Sequence, residues 1–146
     1  LANDQIQETL IQLLREGQTV EVPAHGMSMF PLLLPGDRLL ISPVKPQIGQ
    51  IGVFIGMNKL IAHRLIKIDN KTYFFKGDGV FHSDEPVHSD LVLGVVTQRK
   101  RGERISSCNN RKFKIFQYTM PKLTSILGSW FYYLGRLHLK YQKASR

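Results

Sequence analysis

Between residues 19 and 97 the chain breaks into short apolar segments, four to ten residues long, separated by Gly, Pro, Asn and Asp. Segments of that length, with that punctuation, suit strands far better than helices. Residues 19–23 alternate like a strand, and residues 38–41 form a second, closed by Ser42-Pro43. Residues 51–55 and 59–68 flank Gly56-Met57-Asn58 and predict a hairpin with a short loop. Asp69-Asn70 then turns the chain into residues 72–76. Gly77-Asp78-Gly79 opens a polar loop through Asp90, and residues 91–97 make a further strand. Arg99-Lys100-Arg101-Gly102 is expected to turn into a last short strand around Ile105. The fold class predicted is mostly β.

Helical spacing occurs only at the two ends. Over residues 4–16, Ile6, Leu10, Leu13 and Leu14 fall on one face, with Asn3 or Asp4 to cap the start and Gly17 to end the helix. Residues 106–112 are polar and read as a linker. Beyond Pro121 apolar residues return at Leu123, Ile126, Leu127, Trp130, Leu134, Leu137 and Tyr141, with Lys122, Arg136, Lys140 and Lys143 between them. This predicts a C-terminal basic amphipathic helix within residues 120–143. Its apolar face suits a membrane surface, or packing against the β-domain or a second copy of the chain in a homodimer. The organisation expected is an N-terminal helix (1–18), a β-domain (19–105), and a linker with the basic helix (106–146).

Charge follows the same division. Residues 1–98 carry 8 Lys/Arg against 10 Asp/Glu, whereas residues 99–146 carry 12 against Glu103 alone. The basic third favours an anionic partner. No uncharged apolar run reaches the ~20 residues of a transmembrane helix, and the start lacks the pattern of a secretory signal. A cytoplasmic location, or a peripheral one at a membrane surface, is the expectation. The lone Cys108 forms no internal disulfide and supports no Cys-based zinc site. His25, His82 and His88 have no ligand-like spacing, so neither metal nor cofactor is expected.

Two residues in the β-rich region carry chemistry. Ser28 lies in Gly26-Met27-Ser28-Met29-Phe30-Pro31, and His63 follows 35 residues later. Serine is a poor nucleophile until a base takes its proton, so a Ser and a His folded together suggest covalent catalysis. Met27, Met29 and Phe30 would exclude water around Ser28 and pack beside a peptide substrate. In residues 59–68 strict alternation places His63 with Ile61, Leu65 and Lys67, opposite Leu60, Ala62, Arg64 and Ile66. That half-apolar side would keep the imidazole neutral, as a general base requires. A third group should orient such a base, and Asp78 and Asp84 are the nearest candidates in the polar loop. Each residue also has a plainer role open to it: Ser28 as a turn serine bonded to its own backbone, His63 as a core histidine. Pro35-Gly36-Asp37 is a turn that aims the Ser28 loop, and Asp37 is a candidate partner for Arg64.

Residues 20–96, 77 of the 146, resemble the signal peptidase I/LexA-type superfamily of serine peptidases. The motifs that carry the resemblance come in order: Gly26-Met27-Ser28-Met29-Phe30-Pro31; Pro35-Gly36-Asp37-Arg38-Leu39-Leu40-Ile41; Ile61-Ala62-His63-Arg64-Leu65; Lys76-Gly77-Asp78; and Leu93-Gly94-Val95-Val96. Most bacterial members use a Ser/Lys dyad. His63 followed by Arg64 resembles instead the Ser/His branch of archaeal and endoplasmic-reticulum signal peptidases. The resemblance implies a LexA/signal-peptidase-like β-domain with Ser28 as nucleophile and His63 as base. Asp84 matches the acidic residue that this branch places after its Gly-Asp loop, and Asp78, the Asp of the motif itself, competes with it. The chain departs from the family in three places. The N-terminal transmembrane segment of the family's membrane-anchored members is not expected within these 146 residues. Gly26 stands where some members place an oxyanion-hole hydroxyl, which leaves the Ser28 backbone N–H to act largely alone. Gly79 stands where the branch usually carries Asn.

Two functions follow. The first is a serine endopeptidase that removes a leader or signal peptide from a preprotein, with small residues flanking the cut as the resemblance implies. The second is a LexA-like dimerisation or regulatory module without catalysis, or a catalytically dead scaffold. Only one helix fits in residues 1–18, too little for a helix-turn-helix, so nucleic acid is not the expected partner.

Overall fold

A computed structural model describes residues 2–108 and, beyond them, Thr119, Leu123, Trp130 and Leu134. The expected basic helix of residues 120–143 lies outside the described residues apart from the last three of these. Leu123, Trp130 and Leu134 are each helical and exposed. No helix among the described residues is long and apolar enough to cross a membrane.

The protein is mostly β with an N-terminal helix, as the apolar punctuation predicts. Helix α1 spans Ala2–Arg15. It stops where Gly17 takes φ +84°, a conformation that costs glycine little. Gly17 N–H then donates to Leu14 O (3.1 Å) and Gln18 N–H to Leu13 O (2.9 Å), so two carbonyls left over at the helix end are satisfied by a Schellman cap.

Among the described residues eight strands follow: β1 (Val20–Pro23), β2 (Arg38–Ser42), β3 (Ile51–Gly56), β4 (Lys59–Asp69), β5 (Thr72–Lys76), β6 (Val87–His88), β7 (Val92–Arg101) and β8 (Arg104–Ser107). They form one curled antiparallel sheet in the order β1-β2-β7-β3-β4-β5-β6, with β8 also on β7. Register shifts at Leu40/Ile41, Val53/Phe54 and Leu65/Lys67 interrupt the ladders, and such bulges bend the strands that carry them. The β3–β4 hairpin closes through Met57 and Asn58, both at positive φ (48° and 57°). Two left-handed residues make the tight turn whose twist matches the flanking strands.

The sheet wraps two apolar clusters. The larger joins Leu14 of α1 to Val20, Leu33, Leu39, Ile41, Ile51, Val53 and Val96. The smaller gathers Phe54, Leu65, Phe75, Val87 and Val92, with Phe54 and Phe75 stacked at 4.4 Å between ring centres. Burying a large aliphatic or aromatic side chain of this kind stabilises by ~1.5–3 kcal/mol.

Three sequence expectations are corrected here. Arg99, Lys100 and Arg101 are not a turn: they continue β7, and the chain reverses only between Arg101 and Arg104. The stretch expected to be loop through Asp90 holds the two-residue β6, too short for periodicity to reveal, and a 3-10 turn at Ser89–Leu91. The linker does not begin at residue 106, because β8 runs to Ser107 and Cys108 is buried in the larger cluster, its N–H bonded to Thr97 O at 2.8 Å.

Candidate active site

The loop that carries Ser28 leaves β1 and returns to β2 with its ends tied together. Ala24 N–H donates to Asp37 O (2.7 Å) and Gly36 N–H to Ala24 O (3.1 Å). Within the loop, Leu32 and Leu33 N–H both reach Met29 O (2.9 and 3.0 Å). Met29, Leu32 and Leu33 are buried and anchor it in the core.

A polar frame holds the far side of this loop. The Asp37 carboxylate accepts from Leu34 N–H (2.9 Å) and, through both oxygens, from Arg101 Nε and Nη2 (2.7 Å each). Burial works against the Asp37 charge, but the Arg101 and Leu34 hydrogen bonds and the Arg101 and Arg99 charges outweigh it. Its carboxyl is held below the ordinary carboxylate value. Arg99 Nη1 donates to Leu32 O (2.6 Å). Asp37 therefore aims the Ser28 loop, as its turn sequence suggests, but its partner is Arg101 and not Arg64.

Arg64 pairs with Asp78. Its Nε and Nη2 donate to the two Asp78 oxygens (2.7 and 2.5 Å), and Nη1 donates to Gly49 O (2.6 Å). Both side chains are almost wholly buried, at 1% and 2% exposure. The pair fastens the Gly77-Asp78-Gly79 loop beneath the serine loop. Gly79 N–H donates to Ser28 O at 2.7 Å. A Cβ on Gly77 would stand 2.5 Å from that same oxygen, and one on Gly79 would stand 2.8 Å from Met27 O. Both positions need glycine because two backbones meet there. Gly79, a departure from the resembling branch, thus has a local physical reason.

Asp78 is in consequence spoken for, and the Asp beside His63 is Asp84. The His63 Nδ1 to Asp84 Oδ2 distance is 2.6 Å, and the His63 Nε2 to Ser28 Oγ distance is 2.8 Å. A carboxylate only accepts, so the proton belongs on Nδ1, which leaves the Nε2 lone pair to accept from the Ser28 hydroxyl. Asp84 is placed by β5: its N–H donates to Phe75 O (3.0 Å), and Ser83 bridges Lys76. His63 comes from β4, opposite Gly52 of β3, with Phe54 edge-on at 6.3 Å. Ile61 and Leu65 pack against that same Phe54 cluster, as alternation predicts. The prediction fails only beyond Leu65, where the register shift intervenes.

Among the described residues the Ser28 N–H has no hydrogen-bond acceptor. It is free to donate to an oxygen on a group attacked by Ser28 Oγ.

Ser28 and His63 open onto a cavity of about 550 Å³. Val22, Ala24 and Gly26 line one side, and Leu60, Ile61 and Ala62 of β4 another. Helix α1 supplies Ile6, Gln7 and Leu10. Of the three residues expected beside a substrate, Met29 lines the cavity from the core. Met27 and Phe30 do not line it; they are half-buried, and their carbonyls face Gly79. The α1 contribution went unforeseen: the apolar face of the helix is legible in the sequence, but not which strands it covers.

Among the described residues no group of three or more His, Cys, Asp or Glu side chains is arranged to hold a metal ion. Comparison with protein-family models, curated protein sequences and solved structures gives no match.

Proposed function

We propose that this chain is a serine endopeptidase of signal-peptidase type, working through Ser28, His63 and Asp84. The observation that carries the reading is the 2.8 Å contact between Ser28 Oγ and His63 Nε2, within the reach that nucleophile and base require. As the hydroxyl oxygen attacks a peptide carbonyl carbon, His63 Nε2 takes its proton. The Asp84 carboxylate holds the ring in the correct tautomer and stabilises the imidazolium that forms. The Ser28 N–H donates to the oxyanion, a preorganised donor worth roughly 3–4 kcal/mol in the transition state. Collapse breaks the C–N bond, and His63 returns its proton to the leaving amine. Water, deprotonated by the same imidazole, then attacks the acyl carbon; the bond to Ser28 Oγ breaks, and His63 returns the proton to Oγ.

The substrate enters as an extended strand. Two backbone edges face the site: the outer edge of β1, which among the described residues pairs with β2 alone, and residues 59–63 of β4, which β5 leaves unpaired because it pairs with residues 64–69 and on which Gln7 takes the Leu60 N–H. Main-chain hydrogen bonds to such edges give affinity, and pockets for alternate side chains give selectivity.

Digestion of a peptide library, read by mass spectrometry, tests the proposal. The wild type is expected to cut, and purified Ser28→Ala and His63→Ala to lose ~10³–10⁴ or more of that rate while unfolding as cooperatively as the wild type. Full activity in either variant contradicts it.

A further inference from the structure

The cavity beside Ser28 is larger and more apolar than a site for small side chains requires. Its floor is the aliphatic core itself: Leu33, Leu39 and Val53 line it and are at most 4% exposed. At about 550 Å³ it falls within the ~300–1,000 Å³ of sites that enclose sizeable ligands. A substrate methyl group would leave most of that volume unfilled, and core atoms facing a void forfeit their dispersion contacts. A charged or polar side chain would be desolvated against that aliphatic floor, since His25 and Lys59, the charged or titratable groups of the lining other than His63, are exposed.

The outer wall is α1, and it is held in place. Gln7 Oε1 accepts from Leu60 N–H at 3.0 Å, so the helix is tied to the uncovered edge of β4. One turn on, Leu10 packs against the larger core cluster. Ile6 stands at the mouth, 59% exposed although aliphatic.

We propose that this cavity is the specificity pocket of the site. It takes a bulky aliphatic or aromatic side chain from the acyl-side part of an extended peptide, and α1 is its selecting wall. The inference rests on the serine-peptidase reading and departs from the small flanking residues that the family resemblance implies. Side chains two apart on an extended peptide share a face, so the reacting residue and the one two positions before it both qualify.

Peptidyl diaryl phosphonates test this on the intact chain. In these probes Ser28 Oγ bonds to phosphorus, an aryloxide leaves, and the serine proton passes to His63. Two probes are compared, with Leu or with Ala at both candidate positions, each rate normalised to that of a small alkyl fluorophosphonate. The wild type is expected to react about tenfold or more faster with the Leu probe, the scale on which an apolar pocket distinguishes such groups. Ile6→Trp, at an exposed position, narrows the mouth and is expected to bring the ratio to about one. Labelling by the fluorophosphonate with equal or faster reaction of the Ala probe overturns the pocket assignment and leaves the peptidase reading standing. No labelling by any of the three overturns the peptidase reading itself.

Discussion

The Asp84 carboxylate stands 2.6 Å from His63 Nδ1, whereas Asp78, six residues earlier, is enclosed with Arg64. Two acids in one polar loop thus have separate roles. Asparagine in place of each is expected to separate them. Asp84→Asn leaves the fold intact and lowers the acylation rate by as much as ~10⁴, because the amide favours the wrong imidazole tautomer. Asp78→Asn leaves the Arg64 charge buried and uncompensated, and costs about 3–5 kcal/mol of stability. Denaturant melts and acylation rates on both variants check the assignment. The opposite pattern would exchange the two roles.

A methyl group at Gly77 or Gly79 must displace the backbone of the serine loop, since its Cβ would stand 2.5 or 2.8 Å from a carbonyl oxygen of Ser28 or Met27. Gly77→Ala and Gly79→Ala are expected to cost about 1–3 kcal/mol in thermal or denaturant unfolding. Any folded fraction should acylate some 10²-fold more slowly, the scale of a reacting group misplaced by ~1 Å. Normal stability in both variants would show that the two loops do not meet as described.

The Asp37–Arg101 pair predicts acid sensitivity. The folded carboxyl titrates below its ordinary value of 3.8, so the unfolded chain binds the proton more readily. The stabilisation is then complete above the unfolded value and is lost as pH falls through the folded one. Wild-type stability should decline below about pH 4. Asp37→Asn should be less stable at pH 7 and lose less on acidification, as read from urea midpoints across the pH range. An equally steep acid loss in the variant would show that other groups carry the effect.

Burial pushes the Cys108 thiol up to about 11. At pH 8 roughly one thiol in a thousand is then ionised, and the thiolate is the reactive form. A disulfide reagent should react at least ~10²-fold more slowly with native protein than with protein in denaturant. Rapid stoichiometric reaction of the native state would place Cys108 outside the core.

How far the fold was legible follows from how each element declares itself. Strands with one dry face announce themselves by alternation and turn residues, and β1 to β5 lie within a residue of where these place them. β7 was cut short because its last three residues are cationic. Two of those, Arg99 and Arg101, turn their guanidinium groups onto the serine loop, a destination in another part of the chain that local pattern cannot reveal. The motifs around Ser28 and His63 single them out, and the fold brings their side chains to 2.8 Å. The choice between Asp84 and Asp78 depended on where Arg64 points, and the α1 wall on which strands the helix covers. Both are long-range facts, set by packing and not by spacing.

The account stands on whether His63 activates Ser28. Intact-mass spectrometry after treatment with a small fluorophosphonate, followed by peptide mapping, tests this most directly. One adduct per chain on Ser28 in the wild type is predicted, with none in Ser28→Ala and labelling slowed by at least ~10³ in His63→Ala. An unlabelled wild-type protein, or labelling that ignores the loss of His63, would contradict the account and leave a β-rich binding module in its place.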